Sequence, residues 1–295
     1  MTMQDLTGKT AVVTGGGGGL GRAMGERFAR EGMNVVLADV QQGLLAVTVA
    51  ELCGDGLEVT GVVTDVASWD SVEALRDHAL DTYGAVHVVC NNAGIGAGAE
   101  GRIWEHELND WRWAIDVNLW GVIHGIKAFV PHMLERGGEG HNVNTSSGNG
   151  GVAPLSTTPQ YSVTKAAVVT ITEVLYAQLE EVGAPIGASV LFPGPHMLRT
   201  GLFESWRNRP AALANPTPRK APAVTLEQYE QMMADAGVEV QYTPVEEVAD
   251  RVVDGVRNNT FWLLPPSDKG DEQLRTRAAS MLARENPTYM RTIAG

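Results

Sequence analysis

Short apolar runs alternate with longer amphipathic segments along most of the 295-residue chain. The run at 9–14 is rich in β-branched residues, which favours a buried strand, and a similar run follows at 34–39. Between them, residues 21–33 carry apolar side chains at helical spacing and end near a glycine. This first unit is therefore predicted to be a strand, a helix and a second strand.

The same alternation continues along the chain. It predicts further strands at 57–66, 86–94, 140–147, 185–195 and 260–266, and further helices at about 42–53, 68–84, 110–135, 159–183 and 244–259. Strands that alternate with helices are typical of a parallel sheet with helices on both faces. No linker or internal repeat divides the pattern, so we predict one α/β domain over 1–295, built on a doubly wound sheet of about seven strands.

The turn after the first strand is rich in glycine. Residues 14–22 read TGGGGGLGR, and a strand-to-helix turn of this kind lets a dinucleotide pyrophosphate approach the helix N-terminus. The glycine spacing fits two patterns, G-x-G-x-x-G at 16–21 and G-x3-G-x-G at 15–21. The turn is therefore a candidate dinucleotide site.

Asp39 ends the second predicted strand, 18 residues after Gly21. A carboxylate at this position accepts hydrogen bonds from an adenosine ribose 2′-hydroxyl and repels a 2′-phosphate. The alternative is that Asp39 only caps the following turn. The next residues carry no positive charge, so the expected cofactor is NAD(H) and not NADP(H).

Tyr161 and Lys165 lie four positions apart at the start of a predicted helix, and so share one face. A free tyrosine has a pKa of about 10, too high for a good base near neutral pH. A nearby ammonium favours the phenolate and makes the hydroxyl a better acid–base group. By itself, however, this spacing also fits an exposed helix pair without chemistry.

Together with its other motifs, the chain is identified as a member of the short-chain dehydrogenase/reductase family. The matching motifs are TGGGGGLG at 14–21, Asp39, Asp65–Val66, NNAG at 91–94, VNLWG around Asn118, TSS at 145–147, YSVTK at 161–165 and Pro193–Gly194. The resemblance extends to about residue 265 and implies a Rossmann-like fold and nicotinamide-dependent hydride transfer.

The resemblance also implies residue roles. Tyr161 would be the general acid and base, and Ser147 would hold the substrate carbonyl. Lys165 would bind the nicotinamide ribose and lower the tyrosine pKa, and Asn118 would anchor a water that links Lys165 to solvent. The residues implied to contact the cofactor are Gly15, Gly18, Gly19, Leu20, Gly21, Asp39, Asp65, Val66, Asn92, Ala93, Gly94, Tyr161, Lys165, Pro193, Gly194 and His196.

Two spacings depart from the family pattern. Ser147 precedes Tyr161 by 14 residues, one more than expected, which leaves a choice between Ser146 and Ser147. Strand alternation places these two serines on opposite faces, and the family's usual residue is the second. The threonine that follows Pro193–Gly194 is also delayed, which makes Thr200 the candidate for the carboxamide contact.

The segment 196–243, which we call the lid, is long, irregular and rich in apolar residues. We expect it to fold as helical pieces over a hydrophobic substrate pocket, with Trp104 as a further wall residue. The candidate substrate contacts are Ile95, Leu155, Met197, Leu198, Phe203 and Trp206. Ordinary core or subunit contacts are the alternative for these side chains. A C-terminal extension at 267–295 contains an amphipathic segment that would dock on the surface or on a neighbouring subunit.

Composition narrows the classes of partner. The formal charge of −13 argues against nucleic acids and anionic membranes. No signal sequence or spanning segment is visible, and two distant cysteines indicate a reducing cytoplasm. No cluster of histidine and cysteine indicates a metal.

The function expected from these observations is an NAD(H)-dependent oxidoreductase that interconverts a bulky hydrophobic secondary alcohol and its ketone. The lid and C-terminal stretch are also similar to those of family members that oxidise benzylic alcohols of lignin-type aryl ethers. A homodimer or homotetramer is implied by the resemblance. A 3-oxoacyl thioester reductase and a non-catalytic NAD-binding sensor are the alternatives.

Overall fold

The computed structural model describes residues 3–96, 102–216, 224–287 and 289. Within them the chain forms one parallel sheet with the strand order β3-β2-β1-β4-β5-β6-β7. The strands are β1 (Thr10–Thr14), β2 (Asn34–Asp39), β3 (Val59–Val63), β4 (Val88–Asn91), β5 (Gly140–Thr145), β6 (Ile186–Leu191) and β7 (Trp262–Leu263). The predicted strands are all present, and most are shorter than their apolar runs because the chain leaves the sheet once hydrogen-bond pairing ends.

Helices cover both faces of the sheet. They are α1 (Gly19–Arg30), α2 (Gln42–Gly54), α3 (Trp69–Tyr83), α4 (Leu108–Ile115), α5 (Gly121–Arg136), α6 (Pro159–Glu181), α7 (Leu226–Asp235), α8 (Val245–Asn258) and α9 (Asp268–Ala283). Val13 packs in the core beneath α1, α2 and α8, whereas its neighbour Val12 packs beneath α3, α5 and α6. This alternation explains why a central strand such as β2 is apolar on both faces over 35–38. The structure is thus a Rossmann-like α/β fold.

The predicted helix at 110–135 is interrupted. A π-helical turn at Asp116–Trp120 separates α4 from α5. Inside it, the Asn118 Oδ1 accepts a hydrogen bond from the Ile95 amide at 2.8 Å, and its Nδ2 donates to the Ile95 carbonyl at 3.0 Å. The amide side chain therefore holds the loop after β4 to this turn, a tertiary contact that apolar periodicity cannot predict.

The sheet reverses its winding between β1 and β4, which lie side by side. In doubly wound sheets, the chain leaves the two strands at such a point toward opposite faces of the sheet. A crevice therefore opens at the carboxyl ends of these strands. The glycine turn follows β1 and the segment Asn92–Gly94 follows β4, so both border this crevice.

The lid and the tail are partly described. The lid forms short 3-10 turns at Ser205–Asn208 and Ala211–Leu213 before α7, in keeping with the helical pieces expected. In the tail, α9 is anchored to its own chain, because Arg277 Nη1 donates to the Val152 carbonyl at 2.9 Å. The parts of the lid at 217–223 and of the tail at 288 and 290–295 lie outside the described residues. None of the helices within the described ranges has the length and apolar content needed to cross a membrane.

Acid should destabilise the fold through His141, a buried residue of β5 that lies beside β6. The Ser189 hydroxyl donates to the Thr260 carbonyl at 2.6 Å, so it can only accept from His141 Nε2, also at 2.6 Å. The ring is therefore a neutral tautomer with its proton on Nε2, and burial lowers the pKa of His141 to about 4.

Because the unfolded chain binds the proton near pH 6.5, stability from this group is complete above that pH and is lost as pH falls toward 4. We expect the free energy of unfolding to fall by about 2 kcal/mol between pH 7 and pH 5 from His141 alone. Urea unfolding at both pH values measures this difference. A stability that stays constant over this range would contradict the assignment.

Candidate active site

In the glycine turn, the start of α1 packs directly against the backbone at the end of β1. Gly15 and Gly19 have φ values of +68° and +51°, which favour glycine. A Cβ at Gly21 would lie 2.0 Å from the Gly15 carbonyl oxygen, so no other residue fits there. Helix α1 begins with no side-chain cap and no acidic residue in its first turn. This cradle fits a dinucleotide pyrophosphate.

Asp39 caps the turn that follows β2 and also borders the crevice. Its Oδ1 accepts a hydrogen bond from the Gln41 amide at 2.9 Å, which caps the turn after β2. Its Oδ2 accepts from the Gly17 amide at 3.0 Å and so fixes the glycine turn. The carboxylate also lines the cavity described below. The capping hydrogen bonds therefore hold the Asp39 carboxylate at the cavity, where the predicted contact with the ribose stays a prediction.

Thr14, the last residue of β1, joins the glycine turn to the end of β4. Its Oγ1 accepts hydrogen bonds from the amides of Asn92 and Ala93 at 2.9 and 3.0 Å. The Asn92 side chain in turn donates to the Thr14 carbonyl at 3.0 Å. Sequence reasoning gave Thr14 no role of its own, although it is the first residue of the glycine motif.

Tyr161 and Lys165 lie on the first turns of α6, as their spacing predicts. Lys165 is buried, its Nζ donates to the Thr145 carbonyl at 2.8 Å, and Nζ lies 5.6 Å from the Tyr161 ring centre. Burial lowers the pKa of Lys165 to about 8, so the ammonium remains mostly charged at neutral pH. A Cβ at Gly94 would lie 3.4 Å from Nζ, so the segment after β4 contacts this lysine closely.

The pKa of the Tyr161 hydroxyl shifts upward, whereas the family resemblance implies a lowered pKa. Desolvation by the surrounding protein raises the pKa of Tyr161, and a hydrogen bond with Ser147 acts in the opposite direction. The tyrosine is therefore neutral at pH 7 and suited to donate a proton.

The two candidate serines have separate environments. Ser146 is buried and donates to the Lys165 carbonyl at 2.7 Å, which holds α6 against the end of β5. Ser147 faces Tyr161 and lines the cavity, and its Oγ accepts from the Asn149 amide at 3.2 Å. Both serines border the cavity, but the Ser146 hydroxyl is engaged by the Lys165 carbonyl, so Ser147 stays the predicted substrate contact.

Asn149 organises the longer loop between Ser147 and Tyr161. Its Oδ1 accepts from the Leu155 amide at 2.9 Å and from the Ser162 hydroxyl at 2.6 Å. Its Nδ2 donates to the Thr158 hydroxyl at 2.7 Å. One side chain thus ties the loop to the start of α6, which explains how the additional residue is accommodated. Sequence reasoning missed this residue because nothing local distinguishes it.

A cavity of about 1720 Å³ connects the glycine turn, the α6 residues and the lid. The predicted site residues that line it are Gly15, Gly18, Gly19, Leu20, Gly21, Asp39, Asp65, Val66, Asn92, Ala93, Gly94, Ile95, Ser147, Leu155, Tyr161, Lys165, Pro193, His196, Met197, Leu198, Thr200 and Phe203. Asn118 is buried just behind this wall, and the Gly194 carbonyl accepts from Arg251 at 3.3 Å.

Trp206 and Trp104 do not line the cavity, contrary to the expectation that both contact substrate. Ser205 occupies the inner side of its 3-10 turn, where its hydroxyl accepts from the Gly96 amide at 3.0 Å. The next side chain, Trp206, consequently faces solvent and is 49% exposed. Trp104 is 73% exposed, and the Arg102 guanidinium lies over its ring.

An ion pair that sequence reasoning missed fastens the lid. Arg209 donates to Asp110 on α4 at 2.6 Å, and both side chains are largely buried. Asn215 donates to the same carboxylate at 3.0 Å, and the guanidinium lies over the Trp113 ring. The lid is thereby held against α4 at the edge of the cavity, which Asp110 and Asn215 both line.

Comparison with known proteins agrees with this geometry. Residues 9–210 match the family described as short chain dehydrogenase. A 1-deoxy-11-beta-hydroxypentalenate dehydrogenase from Streptomyces arenae is 38% identical over 188 residues, which are 63% of this chain and 66% of that protein. The chain therefore belongs to the short-chain dehydrogenase/reductase family of oxidoreductases, which bind nicotinamide cofactors.

Two solved structures extend the likeness over nearly the whole chain. A short-chain dehydrogenase/reductase from Burkholderia phymatum in complex with NAD is 37% identical, with a TM-score of 0.86 over 97% of this chain and 98% of that one. The apo form of LigO from Sphingobium sp. strain SYK-6 is 29% identical, with a TM-score of 0.73 over 99% and 96% of the two chains.

Proposed function

We propose that this protein is an NAD(H)-dependent oxidoreductase that interconverts a bulky, uncharged secondary alcohol and its ketone. The observation that carries the proposal is one cavity with Asp39 and the glycine turn in one part and the Ser147–Tyr161 pair in another. The related structure that contains NAD supports the choice of cofactor.

The chain's own residues would divide the chemistry between them. The bound nicotinamide supplies or accepts the hydride. Ser147 holds the substrate oxygen against Tyr161. The neutral hydroxyl of Tyr161 donates a proton during ketone reduction, and its phenolate form accepts the proton of the alcohol during oxidation. The charged Lys165 stabilises the phenolate that forms in the first case. Asn118 acts by positioning, since its amide holds the π-helical turn and the segment after β4.

The residues of the cavity wall favour an uncharged substrate over an anionic one. Among its described lining residues, Lys165 and Arg207 are the only lysine and arginine, and Lys165 is engaged by the Thr145 carbonyl. Beside the lid, Glu105 and Glu107 add negative charge, whereas Leu155 and Phe203 provide apolar surface. An anionic thioester would meet repulsion here, which disfavours the 3-oxoacyl thioester reductase. The presence of the Ser147–Tyr161 pair disfavours a sensor without chemistry.

The test of this function is a substrate panel. NADH formation would be followed with secondary alcohols graded from 2-propanol through 1-phenylethanol to a hydroxysteroid, with NAD and NADP in parallel. We expect turnover to rise with substrate bulk. Activity restricted to small alcohols or to thioesters would contradict the substrate proposal.

Asp39 should determine the choice between the two cofactors. In the variant Asp39→Asn, one side-chain oxygen remains as an acceptor, but the charge that repels a 2′-phosphate is gone. We expect the ratio of kcat/KM with NADP to kcat/KM with NAD to rise about tenfold, equivalent to about 1.4 kcal/mol. Asp81→Asn, which removes an exposed carboxylate on α3, is the matched control. An unchanged ratio in Asp39→Asn would assign Asp39 to capping alone.

The assembly and location belong to the same proposal. Exposed apolar residues on α5 and α6, such as Leu134 and Val174, support a homodimer or homotetramer. We place the protein in the cytoplasm, in keeping with its free cysteines Cys53 and Cys90.

A further inference from the structure

The lid reaches the cofactor half of the cavity as well as the substrate half. A Cβ at Gly19 would lie 3.0 Å from the Thr200 side chain, so the start of the lid rests directly on the glycine turn. The next lid residue, Gly201, accepts a hydrogen bond at its carbonyl from Arg207 Nη1 at 3.2 Å. The lid therefore places a cation close to the turn that would receive the pyrophosphate.

Arg207 spans the space between the lid and the end of β2. Its Nη1 donates to the Glu204 carbonyl at 2.8 Å, which fixes the guanidinium on the lid side. Its Nε donates to Gln41 Oε1 at 3.1 Å. The backbone amide of the same Gln41 donates to the Asp39 carboxylate. The side chain thus crosses the crevice beside the predicted ribose and pyrophosphate positions, and it lines the cavity.

The charge of Arg207 is incompletely compensated. Its nearest carboxylate within the described ranges, Glu204, lies 3.7 Å away and is largely exposed to solvent. Nη2 donates to none of the described residues. The other arginine near the turn, Arg22, is paired with Glu51 at 2.6 Å on the outer surface of α1 and does not line the cavity. A phosphate group beside the turn would therefore find its available guanidinium in Arg207.

We propose that Arg207 binds a phosphate group of the dinucleotide and so ties the lid to the bound cofactor. The inference rests on the proposed cofactor site and adds to it a residue from the lid. The contact between Thr200 and Gly19 favours the pyrophosphate, which every nicotinamide dinucleotide carries. The 2′-phosphate of NADP offers the same chemistry near Gln41, and the experiment below distinguishes the two.

The test is a set of dissociation constants measured by titration calorimetry on the full chain. The ligands are NADH, NADPH, ADP, which keeps the pyrophosphate, and adenosine, which has no phosphate. Arg207→Met removes the charge with little change in length, Arg207→Lys retains it, and Arg199→Ala is the control for loss of an exposed lid arginine paired with Glu230.

We expect Arg207→Met to weaken NADH and ADP about 10- to 100-fold and adenosine by less than about twofold. The dependence of the NADH dissociation constant on salt should also become shallower, whereas Arg207→Lys and Arg199→Ala remain closer to the wild type. A loss confined to NADPH would assign the contact to the 2′-phosphate.

Three results would overturn the inference. Unchanged NADH and NADPH affinities in Arg207→Met would show that no phosphate contact exists. Equal losses in Arg207→Met and Arg207→Lys, with the wild-type salt dependence, would show that the residue only supports the lid. A wild-type chain that binds neither NADH nor ADP would remove the proposed cofactor site itself, and so the failure of the function is distinguished from the failure of this contact.

Discussion

Replacing Tyr161 with phenylalanine is expected to lower kcat by about 10²- to 10⁴-fold, the usual contribution of a positioned acid–base group. The substitution removes the hydroxyl that faces Ser147 and leaves the ring on the first turn of α6. Because the ring remains, the cofactor site should keep its shape. The NADH dissociation constant is therefore expected to change by less than about twofold.

The same helix provides a matched control for this experiment. Tyr176 lies further along α6 and packs against Phe261 with ring centres 5.1 Å apart, away from the cavity. Tyr176→Phe should retain wild-type turnover. Steady-state kinetics and NADH titration of both variants give the comparison. If Tyr161→Phe turned over substrate at the wild-type rate, the acid–base assignment would be wrong.

The second large effect is expected from Gly21→Ala. The added Cβ would lie 2.0 Å from the Gly15 carbonyl oxygen and 2.9 Å from the side-chain nitrogen Nδ2 of Asn92. The carbonyl belongs to the backbone of the turn, so the clash cannot be relieved by rotating a side chain. Overpacking of this kind costs about 1–3 kcal/mol. We therefore expect the melting temperature to fall and NADH affinity to decrease at least about tenfold, as the turn and α1 separate.

Gly43→Ala separates this clash from the general effect of alanine in a helix. Gly43 lies in α2, and a Cβ there would meet nothing within 4 Å. Since glycine costs a helix about 0.5–1 kcal/mol relative to alanine, this variant should be slightly more stable than the wild type. Thermal unfolding and NADH titration of the two variants test the prediction. A Gly21→Ala protein with wild-type stability and affinity would contradict the close approach of the turn to α1.

Much of the fold could be predicted because it is encoded over short distances in the chain. Strand runs such as 34–39 and helices such as 159–183 are visible in local apolar spacing, and the structure places their elements within a few residues of the predictions. The interruption at Asp116–Trp120 could not be predicted, since it depends on the pairing of Asn118 with the backbone of Ile95. Local spacing gives no information about such a partner.

The site shows the same division at finer detail. The glycine turn, Asp39 and the pair Tyr161 and Lys165 are visible as motifs because each chemical task requires particular residue types at fixed spacing. The environments of Ser146 and Ser147 required the structure, which shows the Ser146 hydroxyl bonded to the Lys165 carbonyl and Ser147 bonded to Tyr161. The apolar character of Trp206 predicts a place in the pocket, whereas the orientation of one short turn leaves its side chain exposed.

By itself, the sequence determined the parallel α/β architecture, the family and the residue types that carry the proposed chemistry, because periodicity and motif spacing are properties of neighbouring residues. Only the tertiary structure revealed the lid contacts. Arg209 meets Asp110 across 99 positions of the chain, and Arg207 meets Gln41 across 166. Such pairs form when packing brings distant segments together, and an isolated arginine in an irregular segment carries no local sign of its partner.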